Sequence, residues 1–276
     1  MDNLVLETTE PSRTFALTIG YNGAPFAGFA RQPGQLTVQG NVEEALSLLF
    51  RQEVLTVCAG RTDAGVHARC QVVSFSVPES ALRGRGERSL LRSLNALTHE
   101  AITAKSLQER PQGFSARFDA VSREYHYHIC TDPVPPLFMR EYSWHIPQPL
   151  NVAAMQQAAA LMEGEHDFKS FCLAASAKDK PTHRFVERVT VEPIEIMGES
   201  ILLITVKGNA FLHSMVRTMV GTLVKVGAGH REPEWVSRVL EACDRSAAGE
   251  TAPACGLVFW NVDYEGERCP YAPPVE

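Results

Sequence analysis

One string, Cys58-Ala59-Gly60-Arg61-Thr62-Asp63-Ala64-Gly65-Val66-His67-Ala68, constrains this chain more than any other. It separates two runs with strand character, Val54-Leu55-Thr56-Val57 and Cys70-Gln71-Val72-Val73-Ser74-Phe75-Ser76-Val77. Gly60 and Gly65 let the intervening backbone turn tightly or approach a ligand closely. A short loop held between two strands presents Asp63 on a rigid mount. The residues alone leave two readings open. One is a polar turn in which Thr62 and Asp63 bond their own backbone. The other is a site built around the carboxylate.

The 276 residues suffice for one large or two medium domains. Hydrophobic residues make up 45%, the ordinary share for a globular protein, and no apolar run approaches the roughly 20 residues of a membrane helix. The acidic start, Met1 to Glu7, lacks a signal-peptide pattern. The seven cysteines include no Cys-x-x-Cys, and no Cys/His spacing resembles a zinc site. They read as reduced, mostly buried thiols of a cytoplasmic protein. The net charge of −6 lies wholly in residues 131–276, with 13 Lys/Arg against 19 Asp/Glu; residues 1–130 carry 13 of each. Within that neutral part Arg83, Arg85, Arg88 and Arg92 face Glu87 alone. Such a cluster is either a phosphate-binding patch or a solvated helix face.

Residues 1–12 read as a loose leader. Phe15 to Tyr21 alternates as a strand, and residues 22–34 form a Gly/Pro-rich loop. Val42, Ala45, Leu46, Leu49 and Phe50 predict a helix from Val38 to Phe50. Leu90, Leu91, Leu94 and Leu97 predict another over 89–97, followed by a strand over 101–107. In Arg123-Glu124-Tyr125-His126-Tyr127-His128-Ile129, the tyrosines and Ile129 share one strand face and Glu124, His126 and His128 the other. A helix from Asn151 to Met162, with Asn151 as its cap, is followed by polar residues 173–183 and strands over 185–196 and 201–207. Asn209 to Arg217 leads a helix to about Val226, and the last strand lies near 256–262. Strands alternating with too few helices for a parallel sheet give an α+β fold.

The Gly60–Ala68 string resembles the catalytic loop of the bacterial tRNA pseudouridine synthase A (TruA) family. Further matches span about residues 13–265: Gln39 and Asn41 at a helix start, Phe114-Ser115-Ala116-Arg117-Phe118-Asp119-Ala120 at the joint between two halves, Arg123-x-Tyr125-x-Tyr127, His166-Asp167-Phe168-Lys169-Ser170-Phe171, and Asn209 to Arg217. The loop after the first strand departs from the family pattern at Asn22, Phe29 and Ala30, where Asp, Trp and Gln are usual. Cys255 stands where Lys or another polar residue is common. The resemblance implies two ferredoxin-like halves, residues 13–112 and 113–276, joined in one central, mostly antiparallel sheet with a cleft across it. It implies isomerisation of uridine to pseudouridine in the anticodon stem–loop of tRNA (tRNA positions 38 to 40), by a homodimer whose tRNA reaches across both subunits. The isomerisation involves no redox change or group transfer, so no cofactor is implied. What it needs is a carboxylate, a flipped-out uridine and a site that holds the detached uracil while it turns.

The resemblance assigns Asp63 as the catalytic carboxylate, Arg61 as the residue that displaces the target base, and Arg217 as the partner of Asp63. Arg fits both roles, since its planar fork stacks on bases and pairs bidentately with acids. Independently, an Arg in a helix as apolar as Met215 to Val226 needs a partner or a path to solvent. Tyr125 and Leu257 are expected against the base, with Gly256 allowing close approach, and Arg83 and Arg85 against phosphates. His67 is expected to shape the loop rather than carry protons. Tyr127 is expected to be structural. Two other readings stand beside this one. A non-catalytic RNA-binding protein would need no carboxylate in the loop. A carboxylate-dependent hydrolase would want a second acid or a metal cluster near Asp63.

Overall fold

The computed structural model describes residues 10–173 and 181–266. Residues 1–9 of the expected leader and 174–180 of the expected polar loop lie outside them. The elements run β1 (Ser12–Tyr21), α1 (Val38–Phe50), β2 (Val57–Cys58), β3 (His67–Pro78), α2 (Glu79–Leu82), α3 (Glu87–Leu97), β4 (Ile102–Arg110), β5 (Ala120–Cys130), β6 (Trp144–His145), α4 (Val152–Ala160), β7 (Gly164–Asp167), β8 (His183–Ile196), β9 (Glu199–Gly208), α5 (Met215–Gly227), α6 (Trp235–Ala242) and β10 (Leu257–Tyr264). This is an α+β fold around one sheet of order β4-β1-β3-β10-β5-β9-β8-β7, with β2 on β3 and β6 on β5. Its pairings are antiparallel apart from β3–β10 and β5–β6.

The last strand sits in the middle of the sheet. β10 runs parallel to β3, with Val258 opposite His67, and antiparallel to β5, with Leu257 opposite Tyr127 and Phe259 opposite Tyr125. It therefore joins the sheet strands that precede residue 111 to those that follow residue 119, and brings Leu257 and Tyr125 to the mouth of the loop that ends at His67. The alternation of β1 explains the face that helices cover. Phe15, Leu17 and Ile19 lie opposite Phe75, Val73 and Gln71 of β3, and one buried apolar cluster continues from them through α1 to β5, β9 and α5.

Local signals set the helix bounds. Thr37 accepts a hydrogen bond from the Gly40 N–H at the start of α1, and Arg51 ends it in the left-handed conformation. Asn151 caps α4 through the Ala154 N–H. In α3, Leu90 and Leu94 are buried, whereas Leu97, expected on the apolar side, is exposed at the last turn.

The structure also corrects several bounds. β3 begins at His67, three residues before the expected start, because the loop's last residues pair with β1 and β10. Val54 is buried but lies outside any strand. β7 and α6 were not anticipated: the first is four residues long and the second is an eight-residue helix whose buried side is only Val236, Val239 and Leu240. Among the described residues no helix is long and apolar enough to cross a membrane.

Candidate active site

The loop is fastened from three sides. Asp63 to Val66 is a β-turn closed by the Val66 N–H on the Asp63 carbonyl at 3.2 Å, with Gly65 at the third position and φ +76°. That conformation is nearly free for Gly and strained for other residues. Thr62 is buried and shares a 2.8 Å hydrogen bond with the Tyr21 hydroxyl, while its carbonyl accepts from the Phe29 N–H. The buried Gln71 amide donates to the Gly60 carbonyl at 2.6 Å. Phe29, which replaces the family's Trp, is fully buried against Tyr21, so the substitution keeps the buttress. Ala30 lines the cleft, as do Gln32 and Gln39.

His67 fixes the far end. Its Nδ1 accepts from the Gly23 N–H at 3.0 Å, so Nε2 carries the proton and donates to the Glu141 carbonyl at 3.0 Å. Both nitrogens are occupied. Burial, the larger effect, holds the imidazolium form down, against smaller contributions from the nearby carbonyls.

Asp63 reaches across to α5. Its Oδ2 accepts from Arg217 Nη1 at 2.9 Å and from the Ser214 hydroxyl at 3.0 Å. His213 Nε2 lies 3.3 Å from Oδ1. The Asp63 and Arg217 side chains are 25% and 18% exposed. Arg217 is aimed by a second bond, from Nε to the Ala252 carbonyl at 2.7 Å, and its own carbonyl accepts from the Ala252 N–H. The Ala252 segment can lie on the helix because Gly221 is one turn beyond Arg217. A Cβ at Gly221 would sit 1.8 Å from the Glu250 carbonyl oxygen. Thr222 Oγ1 accepts the Gly249 N–H nearby.

Ser214 and His213 were not singled out from the sequence. Ser214 precedes α5 with φ +58° and ψ +11°, and its hydroxyl goes to Asp63 rather than capping the helix. A left-handed backbone at a non-Gly residue costs on the order of 1–3 kcal/mol and persists where surrounding contacts enforce it. A Ser before an apolar helix predicts a cap. Nothing in the sequence shows that its hydroxyl leaves the helix.

The cleft holding these groups is about 890 Å³. Asp63, Arg61, Arg217, Tyr125 and Leu257 all line it. Arg61 is exposed. Tyr125 is edge-packed by Phe211 and Phe259, each at 5.1 Å between ring centroids. Burial raises its phenol well above the usual range, with smaller contributions from its neighbours, Asp63 among them, so the hydroxyl stays protonated. Gly256 serves a different contact from the one expected: a Cβ there would meet the Tyr127 ring at 2.6 Å. Tyr127 is fully buried and donates to the Pro253 carbonyl at 2.8 Å.

Among the described residues, the cleft lining carries one carboxylate, Asp63, and five arginines: Arg61, Arg117, Arg123, Arg184 and Arg217. The overall acidity of the chain therefore does not extend to this surface. Arg123, not foreseen as functional, is buried and donates to the carbonyls of Ala59, Arg117, Ala120 and Asn209. It ties the loop start to the segment leading into His213 and Ser214.

Arg83 and Arg85 lie outside this lining. Arg83 is exposed at the end of α2. Arg85 donates to the carbonyls of Leu82, Leu49 and Ala81, with its guanidinium over the Phe50 ring.

Known proteins resemble this chain over most of its length. A family model described as tRNA pseudouridine synthase matches residues 158–265. The tRNA pseudouridine synthase A of Pseudothermotoga lettingae is 43% identical over 252 residues, covering 91% of this chain and 100% of that protein. That of Brevibacillus brevis is 43% identical over 247 residues, 89% of this chain and 97% of its own. That of Thermotoga neapolitana is 41% identical over 250 residues, 91% and 99%. With such identity over the full length of its relatives, the chain belongs to the tRNA pseudouridine synthase A family.

Proposed function

We propose that this tRNA pseudouridine synthase acts on uridines of the anticodon stem–loop, tRNA positions 38 to 40, with Asp63 as its catalytic carboxylate. The observation that carries the reading is Asp63, the one carboxylate lining the cleft among the described residues, gripped on one oxygen by Arg217 and Ser214 and set among arginines. A cleft of that sign suits a polyanion.

The reaction conserves every atom. The C1′–N1 bond breaks, a C1′–C5 bond forms, the C5 proton leaves to solvent and N1 gains a proton. Oδ2 of Asp63 is held by two donors, which leaves Oδ1 the less encumbered oxygen for the chemical step. Arg217 and Ser214 fix the direction of the carboxylate. Tyr125 and Leu257 form the wall against which the detached uracil turns. Arg61, exposed at the cleft two residues from Asp63, takes the place of the displaced base. Arg83 supplies a phosphate contact outside the cleft, with Arg88 and Arg92 on the following helix. Arg85 is committed to backbone carbonyls and supports that corner instead.

The family resemblance extends the reading to a cytoplasmic homodimer. The exposed apolar residues Leu137 and Phe138 are compatible with it, since the Glu199 carboxylate holds their backbone N–H groups in place. Sedimentation of the purified chain tests the dimer. The target reading is tested by incubating the protein with unmodified tRNA transcripts and mapping pseudouridine by chemical adduct and primer extension. Adducts confined to positions 38 to 40 are expected. Adducts elsewhere, with none there, would overturn the assignment.

A further inference from the structure

Phe118 is 79% exposed, more than any other large hydrophobic side chain among the described residues. A single exposed apolar side chain is ordinary on a protein surface. This one differs in its mount and its position. The preceding residue pair is held in the fold: Ala116 is buried, its N–H donates to Ser74 Oγ at 3.0 Å, and its carbonyl accepts from the Tyr264 hydroxyl at 2.8 Å. The Arg117 carbonyl accepts from the buried Arg123 at 2.6 Å. Ser115 and Asp119 close the turn, the Asp119 carboxylate accepting from the Ser115 N–H and the Asp119 N–H donating to the Ser115 carbonyl. The ring is thus presented on a hydrogen-bonded turn that leaves it in solvent.

The position is the wall of the cleft. Phe118 and Arg117 line it together with Asp63 and Arg61, and the Arg117 guanidinium lies 5.6 Å from the Phe118 ring centroid. An exposed aromatic face with a cation beside it matches one nucleotide of a single-stranded or opened RNA. The ring stacks on the base and the guanidinium meets the phosphate. Extruding a uridine from the anticodon arm also breaks its stacking with both neighbours, so a neighbouring base needs a new surface.

We propose that Phe118 is a base-stacking residue that receives a nucleobase adjacent to the target uridine, with Arg117 on the phosphate beside it. The proposal rests on the reading of this cleft as the site for the anticodon arm. Base–aromatic stacking is worth about 1–3 kcal/mol per base, which is about 5- to 150-fold in affinity. Because the contact is to RNA outside the reacting ring, it acts mainly on binding.

The test uses an anticodon stem–loop RNA with 2-aminopurine placed in turn on either side of the target uridine. The wild type and the Phe118→Ala, Phe118→Leu and Phe118→Trp variants are compared. Stacking on an aromatic ring quenches 2-aminopurine, so the wild type should quench one of the two probes on binding. Phe118→Ala and Phe118→Leu should lose that quenching and bind at least about fivefold more weakly, with Tm unchanged. Phe118→Trp should keep both. On tRNA, Phe118→Ala should raise KM while kcat stays within about threefold. Equal affinity and quenching in wild type and Phe118→Ala would overturn the proposal. So would full function in Phe118→Leu, since an apolar contact would then suffice without a flat ring. Fluorescence and affinity require no turnover. A wild type that quenches the probe but forms no pseudouridine would refute the functional reading and leave the stacking supported.

Discussion

Replacing Arg217 by Met tests how much of the site rests on one contact between distant parts of the chain. Met keeps the length and apolar stem that α5 packs, but removes both the 2.9 Å bond to Asp63 Oδ2 and the 2.7 Å bond to the Ala252 carbonyl. A hydrogen bond to a charged group contributes about 1.5–3 kcal/mol, and removing one member of a well-buried pair costs about 3–5 kcal/mol. Asp63 is a quarter exposed and keeps Ser214 and His213 nearby, so the lower end applies, about 3 kcal/mol. If that loss falls on the transition state, turnover drops by about 10²-fold. The unpaired Asp63 and the lost Ala252 contact also lower stability, by up to about 3 kcal/mol, which is a fall of several degrees in Tm. Lys returns the charge but cannot bond Asp63 and Ala252 at once through one planar fork, and should recover about tenfold of the loss. Single-turnover release of tritium from 5-labelled uridine in tRNA, at saturating enzyme, reads the chemical step. An Arg217→Met enzyme within threefold of wild type, with normal Tm, would refute the reasoning.

Three further outcomes follow from other parts of the structure. Gly221→Ala gains about 1 kcal/mol of helix propensity, but its Cβ meets the Glu250 carbonyl oxygen at 1.8 Å, so a net loss of Tm and of turnover is expected; a raised Tm would show that the segment on α5 yields freely. Arg83→Ala should flatten the salt dependence of tRNA binding by about one unit, whereas Arg85→Ala should leave the slope and lower stability by about 1–2 kcal/mol; an altered slope in Arg85→Ala would place that side chain on the RNA. Burial, with a smaller effect of His126, pushes His128 down to about 4 from 6.5. The unfolded chain therefore takes up this proton first, so the contribution of neutral His128 is complete above about pH 6.5 and is lost between about 6.5 and 4, by up to about 3 kcal/mol. Urea midpoints at pH 7.5 and 4.5 should converge in His128→Gln relative to wild type, and equal pH dependence in both would exclude the effect.

The sequence carried what periodicity and local chemistry encode. The apolar spacing from Val42 to Phe50 fixed one face of α1, and Asn151 marked the start of α4. The tyrosines of β5 fell on one face because strand side chains alternate. What stayed hidden depends on contacts between distant residues. Val258 pairs with His67, 191 positions earlier, and no local pattern places the last strand at the centre of a sheet. Ser214 has the residue type of a helix cap, yet its left-handed backbone sends the hydroxyl to Asp63. Arg85 belongs to an arginine-rich run that reads as a phosphate patch, but the Leu49 carbonyl at the end of α1 takes its guanidinium. Composition misleads most about the cleft, where arginines outnumber carboxylates among the described residues in a chain of net charge −6.

The central claim is that the Asp63 carboxylate performs the isomerisation. Asn in its place keeps the shape of the side chain and the turn to Val66 while removing the charge. Tritium release from 5-labelled uridine in tRNA should vanish in Asp63→Asn, while tRNA affinity, measured in parallel by filter binding, stays within a few-fold of wild type. Turnover near the wild-type rate in Asp63→Asn would contradict the account.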